Sequence, residues 1–179
     1  TGGELTAREV VLAGGAWYPA IGRTLGLDLP IQAAKGYSVT VDRPGSCPSI
    51  PLMLVERRVA VTPLTGSLRF AGTLELAGMD LAIDERRVAG ILNAVPEYLP
   101  DIDARRLQPQ EVWCGARPCT PDGLPLLGRT RRYRNLTVAA GHATIGMSLG
   151  PVTGRLVAQL VNGEDPAIDL EALRVERFG

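Results

Sequence analysis

The sequence is poor in the side chains that build metal sites and disulfides. Its 179 residues include one histidine, His142, one lysine, Lys35, and three cysteines, Cys47, Cys114 and Cys119. A structural zinc site needs four Cys or His ligands at short spacings, and no C-x-x-C pair is present, so no zinc constellation is expected. An odd cysteine count without paired spacing gives no disulfide framework. It sets a reduced, cytoplasmic setting as the expectation. Net charge is absent too, with 19 basic against 19 acidic residues. The one local basic patch, Arg129, Arg131, Arg132 and Arg134, reads as a solvated loop between two strands, so nucleic acid is not an expected partner. No apolar run approaches the roughly 20 residues of a membrane span, and no signal peptide opens the chain. Attachment to the inner membrane, where it occurs, is expected to be peripheral. Neither a G-x-G-x-x-G loop nor a P-loop appears.

A hydrophobic content of 45% supports a packed core. Glu9–Gly15, EVVLAGG, is an apolar run of the kind buried in a parallel sheet. Such a strand needs neighbours on both sides, and only eight residues precede it, so the chain reads as part of a longer one. Gly14-Gly15-Ala16-Trp17 then either lets the backbone pass close to a ligand or makes a tight strand exit with a packed tryptophan. Trp17–Leu25 reads as a short helical turn and Leu27–Ala34 as extended.

A β-rich region follows. Tyr37–Val41 alternates apolar and polar, and Leu52–Glu56 and Val59–Thr62 are short strands. In Ser67–Leu76, the side chains of Leu68, Phe70, Gly72, Leu74 and Leu76 should share one face. The opposite face is either solvated or lines a pocket. Asp84–Val95 is a predicted helix with Val88, Ile91, Leu92 and Val95 on one stripe, two acids at its positive end, and Pro96 as its stop. Pro100–Pro109 reads as a polar connection.

The most informative stretch is Trp113–Gly128, WCGARPCTPDGLPLLG. Proline pushes the residue before it toward extended geometry, so Arg117 should leave the strand Glu111–Ala116 in a defined direction. A rigidly aimed guanidinium suits bidentate capture of a carboxylate, and it equally suits a surface salt bridge. Pro121-Asp122-Gly123 reads as a tight turn. Asn135–Gly141 is a further strand, followed by the loop Gly141-His142-Ala143-Thr144-Ile145-Gly146. A helix should then run from about Ser148 to Asn162, with Val152, Leu156 and Leu160 on one stripe and Asn162-Gly163 stopping it. Strand, glycine loop and helix in that order place unpaired N–H groups and a positive dipole end at one spot. A ligand anion there and a plain cap by Ser148 are both compatible with that order.

VVLAGGAW, KGYSVT, LRFAGTLE, WCGARPCTPDGLPLLG, NLTVAAGHATIGMSLGPVTGRLVAQLVNG and PAIDL, in this order, resemble the C-terminal half of the FAD-dependent D-amino-acid dehydrogenase and glycine/D-amino-acid oxidase family. The resemblance covers essentially the whole chain. It implies an α+β fold: a mixed or antiparallel substrate-domain sheet, with the later strands and C-terminal helix of an FAD-binding Rossmann-type domain. Residues 1–29 and 114–179 would belong to the FAD domain and 30–113 to the substrate domain. The family's N-terminal strand–glycine loop–helix, which grips the ADP half of FAD, is absent, which puts FAD binding by this chain alone in doubt.

The resemblance further implies that Arg117 holds the substrate carboxylate, with Tyr37 as a second substrate contact. Gly14, Gly15, Ala16 and Trp17 would approach the FAD. Gly141, His142, Thr144, Ile145, Gly146, Met147 and Ser148 would lie against its ring system. No side chain need act as acid or base: hydride leaves the α-carbon for FAD N5, giving a 2-oxo acid and ammonia. Some glycine oxidases carry an arginine two residues after the loop histidine, where this chain has Thr144. The expected partners are a small amino-acid substrate, a quinone or oxygen as electron acceptor, and either the missing N-terminal half or a second copy meeting the apolar edge at Glu9–Gly15. Rival readings keep the flavin but take glycine, sarcosine, an imino acid or a modified tRNA base. A further one makes the chain a non-catalytic packing module.

Overall fold

The computed structural model of the chain describes residues 2–178. They form two compact units, residues 2–34 with 117–178, and residues 35–116. The fold is α+β, with a three-stranded and a five-stranded sheet.

In the first unit, β1 (Val10–Leu12) pairs in parallel with β8 (Leu136–Ala140), and β7 (Leu126–Arg129) pairs antiparallel on the other side of β8. The parallel strand at residues 10–12 agrees with its apolar run, but it is an edge strand. Val10 and Val11 remain 44% and 40% exposed because only β8 lies beside them. A 3-10 turn, Gly15–Trp17, leads into α1 (Tyr18–Thr24). The core joins Tyr18, Leu27, Leu29 and Ile31 to Leu126, Leu136, Val138 and Ala140. Arg129 is not a solvated loop residue. It donates to Glu9 (2.8 Å) and to the carbonyls of Arg134 (2.8 Å) and Leu160 (2.7 Å). The helix α3 (Gly146–Asn162) starts two residues earlier than its apolar stripe indicates. Its stripe is less buried than expected: Leu156 is sequestered, whereas Val152 is 43% exposed. Gly163 closes it in the left-handed region at φ 74°.

In the second unit the sheet order is β3 (Leu52–Leu54), β4 (Val59–Leu64), β5 (Ser67–Glu75), β2 (Gln32–Asp42), β6 (Pro109–Cys119). The strands β2 and β6 run on past the ends of this unit. The polar alternation of Tyr37–Val41 suggests one wet face, yet β2 is buried on both, Ser38 and Thr40 included. It is an interior strand of its sheet, between β5 and β6, so no edge of it is open.

The period-two pattern of β5 holds for Leu68, Phe70 and Gly72 and then breaks. Thr73 adopts φ 70°, and the register against β2 slips from Tyr37↔Gly72 to Lys35↔Glu75. One extra residue on β5 is a bulge, and it turns Leu74 and Leu76 outward to 56% and 65% exposure. The same bulge brings Glu75 to Tyr37 Oη, which donates at 2.7 Å, and to within 3.9 Å of Lys35 Nζ.

The helix α2 (Glu85–Tyr98) buries Ile91, Ala94 and Val95 against this sheet and is capped by Asp84, which accepts from the Arg86 N–H. At Gly72 a Cβ would lie 3.2 Å from Ile91, so the glycine permits the close approach of helix and strand. Pro96 does not stop the helix, which continues to Tyr98. Proline there removes one helical donor but leaves room for a final half-turn. The polar connection that follows also contributes Ile102, 2% exposed, to the core, and holds a 3-10 turn at Ala104–Arg106.

Candidate functional site

The first unit gathers three of the stretches singled out by sequence. Because β1 and β8 are parallel, with Leu12 beside Val138, the segments following them leave the sheet at the same end. In open α/β sheets that is the end where ligands bind. Gly14–Trp17 follows β1 and Gly141–Ser148 follows β8. Tyr18 ties the two together: its buried hydroxyl donates to the Ala139 carbonyl and accepts from the Ala139 N–H, both at 3.2 Å. Burial pushes the pKa of this phenol well above the ordinary tyrosine value. No motif marks Tyr18 in the sequence, since its partner lies 121 residues away.

The third stretch is the end of β6. The strand does not stop at Ala116 but continues through Arg117 and Pro118 to Cys119. Cys119 bridges antiparallel to His142, and the Ala143 N–H donates to the Pro118 carbonyl at 2.9 Å. Half-buried Arg117 is therefore one residue from the carbonyl that anchors the Gly141–Ser148 loop. Burial raises the Cys119 thiol pKa, against the opposing influence of the Arg117 charge.

The loop itself is tightly constrained. Gly141 sits at φ 76°, where a Cβ would come within 2.5 Å of the Thr120 methyl, and Ala143 holds φ 45°. Ile145 occupies the cap position of α3 without a side-chain hydrogen bond. Ser148 is not the cap but lies inside the first turn. The first-turn N–H groups of a helix have no partners within it, so Gly146, Met147 and Ser148 present donors at the positive end of the dipole. Beside them Ile145 (49%) and Met147 (94%) are exposed apolar side chains, as is Trp17 (55%) in the segment that follows β1. Outward donors beside exposed apolar surface and the open backbone of Gly15 suit a planar heteroaromatic ring with an electron-rich edge.

His142 is partly buried, and its Nε2 lies 2.9 Å from Thr153 Oγ1. Burial lowers its pKa. A base whose folded pKa falls below its unfolded value near 6.5 loses stability as pH drops from that value through the folded one. Thermal midpoints measured from pH 8 to pH 5 should therefore fall toward acid in the intact protein. In His142→Gln they should fall by less over the same range, and parallel curves would contradict this placement.

Tyr37 lies in the second unit, 1% exposed, with its hydroxyl donating to Glu75. A substrate contact by Tyr37 would require that bond to be exchanged. A cavity of about 590 Å³ lined by Leu27, Leu29, Arg131, Arg132, Val175 and Phe178 contains none of the candidate residues. Among the described residues no group of His, Cys, Asp and Glu is placed to hold a metal ion, and no helix is long and apolar enough to cross a membrane.

The profile of the family described as FAD dependent oxidoreductase matches residues 1–160. The chain belongs to this family, whose cofactor is FAD. It is 41% identical over 179 residues to the D-amino acid dehydrogenase of Paramagnetospirillum magneticum, an alignment covering 98% of this chain and 42% of that protein. Among solved structures it resembles glycine oxidase from Geobacillus kaustophilus, with a TM-score of 0.91 and 33% identity, over 100% of this chain and 48% of the other. It also resembles iminodiacetate oxidase from Chelativorans sp. BNC1, with a TM-score of 0.86 and 27% identity, over 96% of this chain and 47% of the other. The chain thus spans less than half the length of each of these three proteins.

Proposed function

We propose that the chain supplies the flavin-ring and substrate-carboxylate contacts of an FAD-dependent dehydrogenase that oxidatively deaminates D-amino acids. The observation that carries this reading is the meeting of Gly14–Trp17, Arg117–Cys119 and Gly141–Ser148 at one end of the parallel pair β1 and β8. The D-amino acid dehydrogenase relative supports the substrate class.

Bound FAD would supply the hydride acceptor for oxidation of the substrate α-carbon, with a 2-oxo acid and ammonia as the products after hydrolysis. This chain's part is binding and orientation. Arg117 receives the substrate carboxylate through its planar fork of donors. The first-turn N–H groups of α3 favour negative charge at the ring edge they face, and the dipole of α3 acts in the same sense. The exposed faces of Trp17, Ile145 and Met147 exclude water when covered. No acid or base from the chain is required, and His142 Nε2 is engaged with Thr153 Oγ1.

The glycine oxidase and iminodiacetate oxidase likenesses support a second reading: the same chemistry on glycine or on an imino acid, a secondary amine. The test is an absorbance spectrum of the purified protein after gel filtration with added FAD, followed by turnover of D-amino acids and of glycine with an artificial electron acceptor. Flavin absorbance co-eluting with protein, with D-amino acids preferred, is the expected result. Preference for glycine selects the second reading, and turnover of neither substrate by a flavin-loaded polypeptide that carries this chain overturns both.

A further inference from the structure

The loop that presents the α3 donors is held without any of the devices that usually fix a helix start. A Ser, Thr, Asp or Asn at the cap position would orient the chain but would also accept one of the first-turn N–H groups. Here the cap residue is Ile145, which accepts nothing through its side chain. The backbone nonetheless holds two left-handed residues, Gly141 and Ala143, and the second carries a Cβ. A non-glycine residue in that region persists only where surrounding contacts over-determine it.

Two of those contacts are backbone bonds, Ala143 N–H to the Pro118 carbonyl (2.9 Å) and Ile145 N–H to the His142 carbonyl (3.0 Å). The third is a side-chain bond. His142 Nε2 and Thr153 Oγ1 are 2.9 Å apart, joining the loop to the start of the third turn of α3, eleven residues along the chain. Gly146 leaves room for it: a Cβ there would stand 3.2 Å from His142 Cβ. The imidazole therefore fastens the loop to the helix body from within and leaves the first-turn donors unused.

We infer that His142 and Thr153 form a positioning pair, a latch that fixes the Gly141–Ser148 loop so that the α3 N–H groups stay aimed at an electron-rich ligand edge. The inference rests on the flavin reading given above for the identity of that ligand. Neither residue is a catalytic residue, because each acts through the backbone it holds. Nothing in the sequence marks Thr153, which reads as one more polar position on a helix.

The test uses the intact protein and the variants Thr153→Val, Thr153→Ser, His142→Gln and the double variant Thr153→Val/His142→Gln. Amide hydrogen exchange is followed at residues 143–149 and, as an internal control, at β7 and β8. FAD dissociation and the flavin midpoint potential are measured on the same samples. Thr153→Val, close in shape but without the hydroxyl, should speed exchange in the loop about tenfold while β7 and β8 stay unchanged. It should weaken FAD binding several-fold and lower the midpoint potential. Thr153→Ser should restore all three, and the double variant should be no worse than the more severe single one.

Loop exchange unchanged in Thr153→Val overturns the latch. Faster loop exchange with FAD affinity and potential unchanged overturns its positioning role toward the ligand. In a polypeptide that carries this chain together with the family's ADP-gripping N-terminal segment, failure to bind FAD overturns the flavin reading alone, and the exchange data still decide the latch.

Discussion

Replacing Arg117 with alanine in the FAD-loaded protein is expected to raise the substrate concentration needed for half-maximal turnover roughly 30- to 1000-fold, or about 2 to 4 kcal/mol. The size follows from what the truncation leaves behind. A substrate carboxylate sheltered from water would lose a charge-assisted, two-pronged partner, and nothing of equal geometry could replace it. Arg117 lies in the last residues of β6, with Pro118 restricting its backbone and the Pro118 carbonyl tied to Ala143, so the root of its side chain is fixed beside the loop. Arg117→Lys keeps the charge but not the fork and should recover only part of the loss. FAD content should be unchanged in both variants, which separates a substrate role from damage to the loop. If the clamp acts alike on bound substrate and transition state, KM carries the whole effect. A fall in kcat as well would show that the carboxylate grip also sets the angle of the α C–H bond. Steady-state kinetics identical to those of the unaltered protein would remove Arg117 from the site.

The parts of this architecture that were readable in the sequence are those decided by neighbours close along the chain. Pro121-Asp122-Gly123 forms the expected turn, with Gly123 at φ 77°. The stripe on α2 faces the core as its spacing indicates, and Gly163 closes α3. What was not readable depends on partners far away. β2 looks half-solvated because Ser38 and Thr40 are polar, and only a strand on each side of it shows why they are buried. The bulge at Thr73 leaves no local mark, yet it reverses Leu74 and Leu76 and brings Glu75 to Tyr37. Ser148 is a good capping residue by type, but the chain enters the helix at Gly146, where the loop is held by Pro118 and Thr153 instead. The candidate residues themselves were legible through glycines and through Arg117-Pro118. The contacts that hold them, Tyr18 to Ala139 and His142 to Thr153, were not.

Arg177 is another long-range support, and its removal should be among the more damaging single changes to the first unit. Its side chain is 9% exposed, and the guanidinium donates to both Asp122 oxygens, at 2.8 and 2.9 Å, and to the carbonyls of Leu124 (2.7 Å) and Pro125 (3.1 Å). These bonds close the Thr120–Pro125 turn, and Thr120 is the residue whose methyl abuts Gly141. Arg177→Ala would leave a carboxylate and two carbonyls without that partner, a loss of about 1 to 2 kcal/mol for charge-assisted bonds partly open to solvent. The Arg177 hydrogen bonds also hold the Asp122 carboxyl well below the ordinary carboxylate range. An acid with a depressed folded pKa contributes stability that is complete above the unfolded value of about 4 and is lost as pH falls through the folded one. The difference in stability between Arg177→Ala and the unaltered protein should therefore be greatest near neutrality and narrow below about pH 4, where Asp122 begins to take up a proton in the unfolded chain. Denaturant midpoints at pH 7 and pH 3 measure it directly. A gap that stays the same at both values would mean that the carbonyl contacts alone hold the turn. Loop exchange at residues 141–145 should rise in the same variant, because Arg177 helps to anchor the wall against which Gly141 packs.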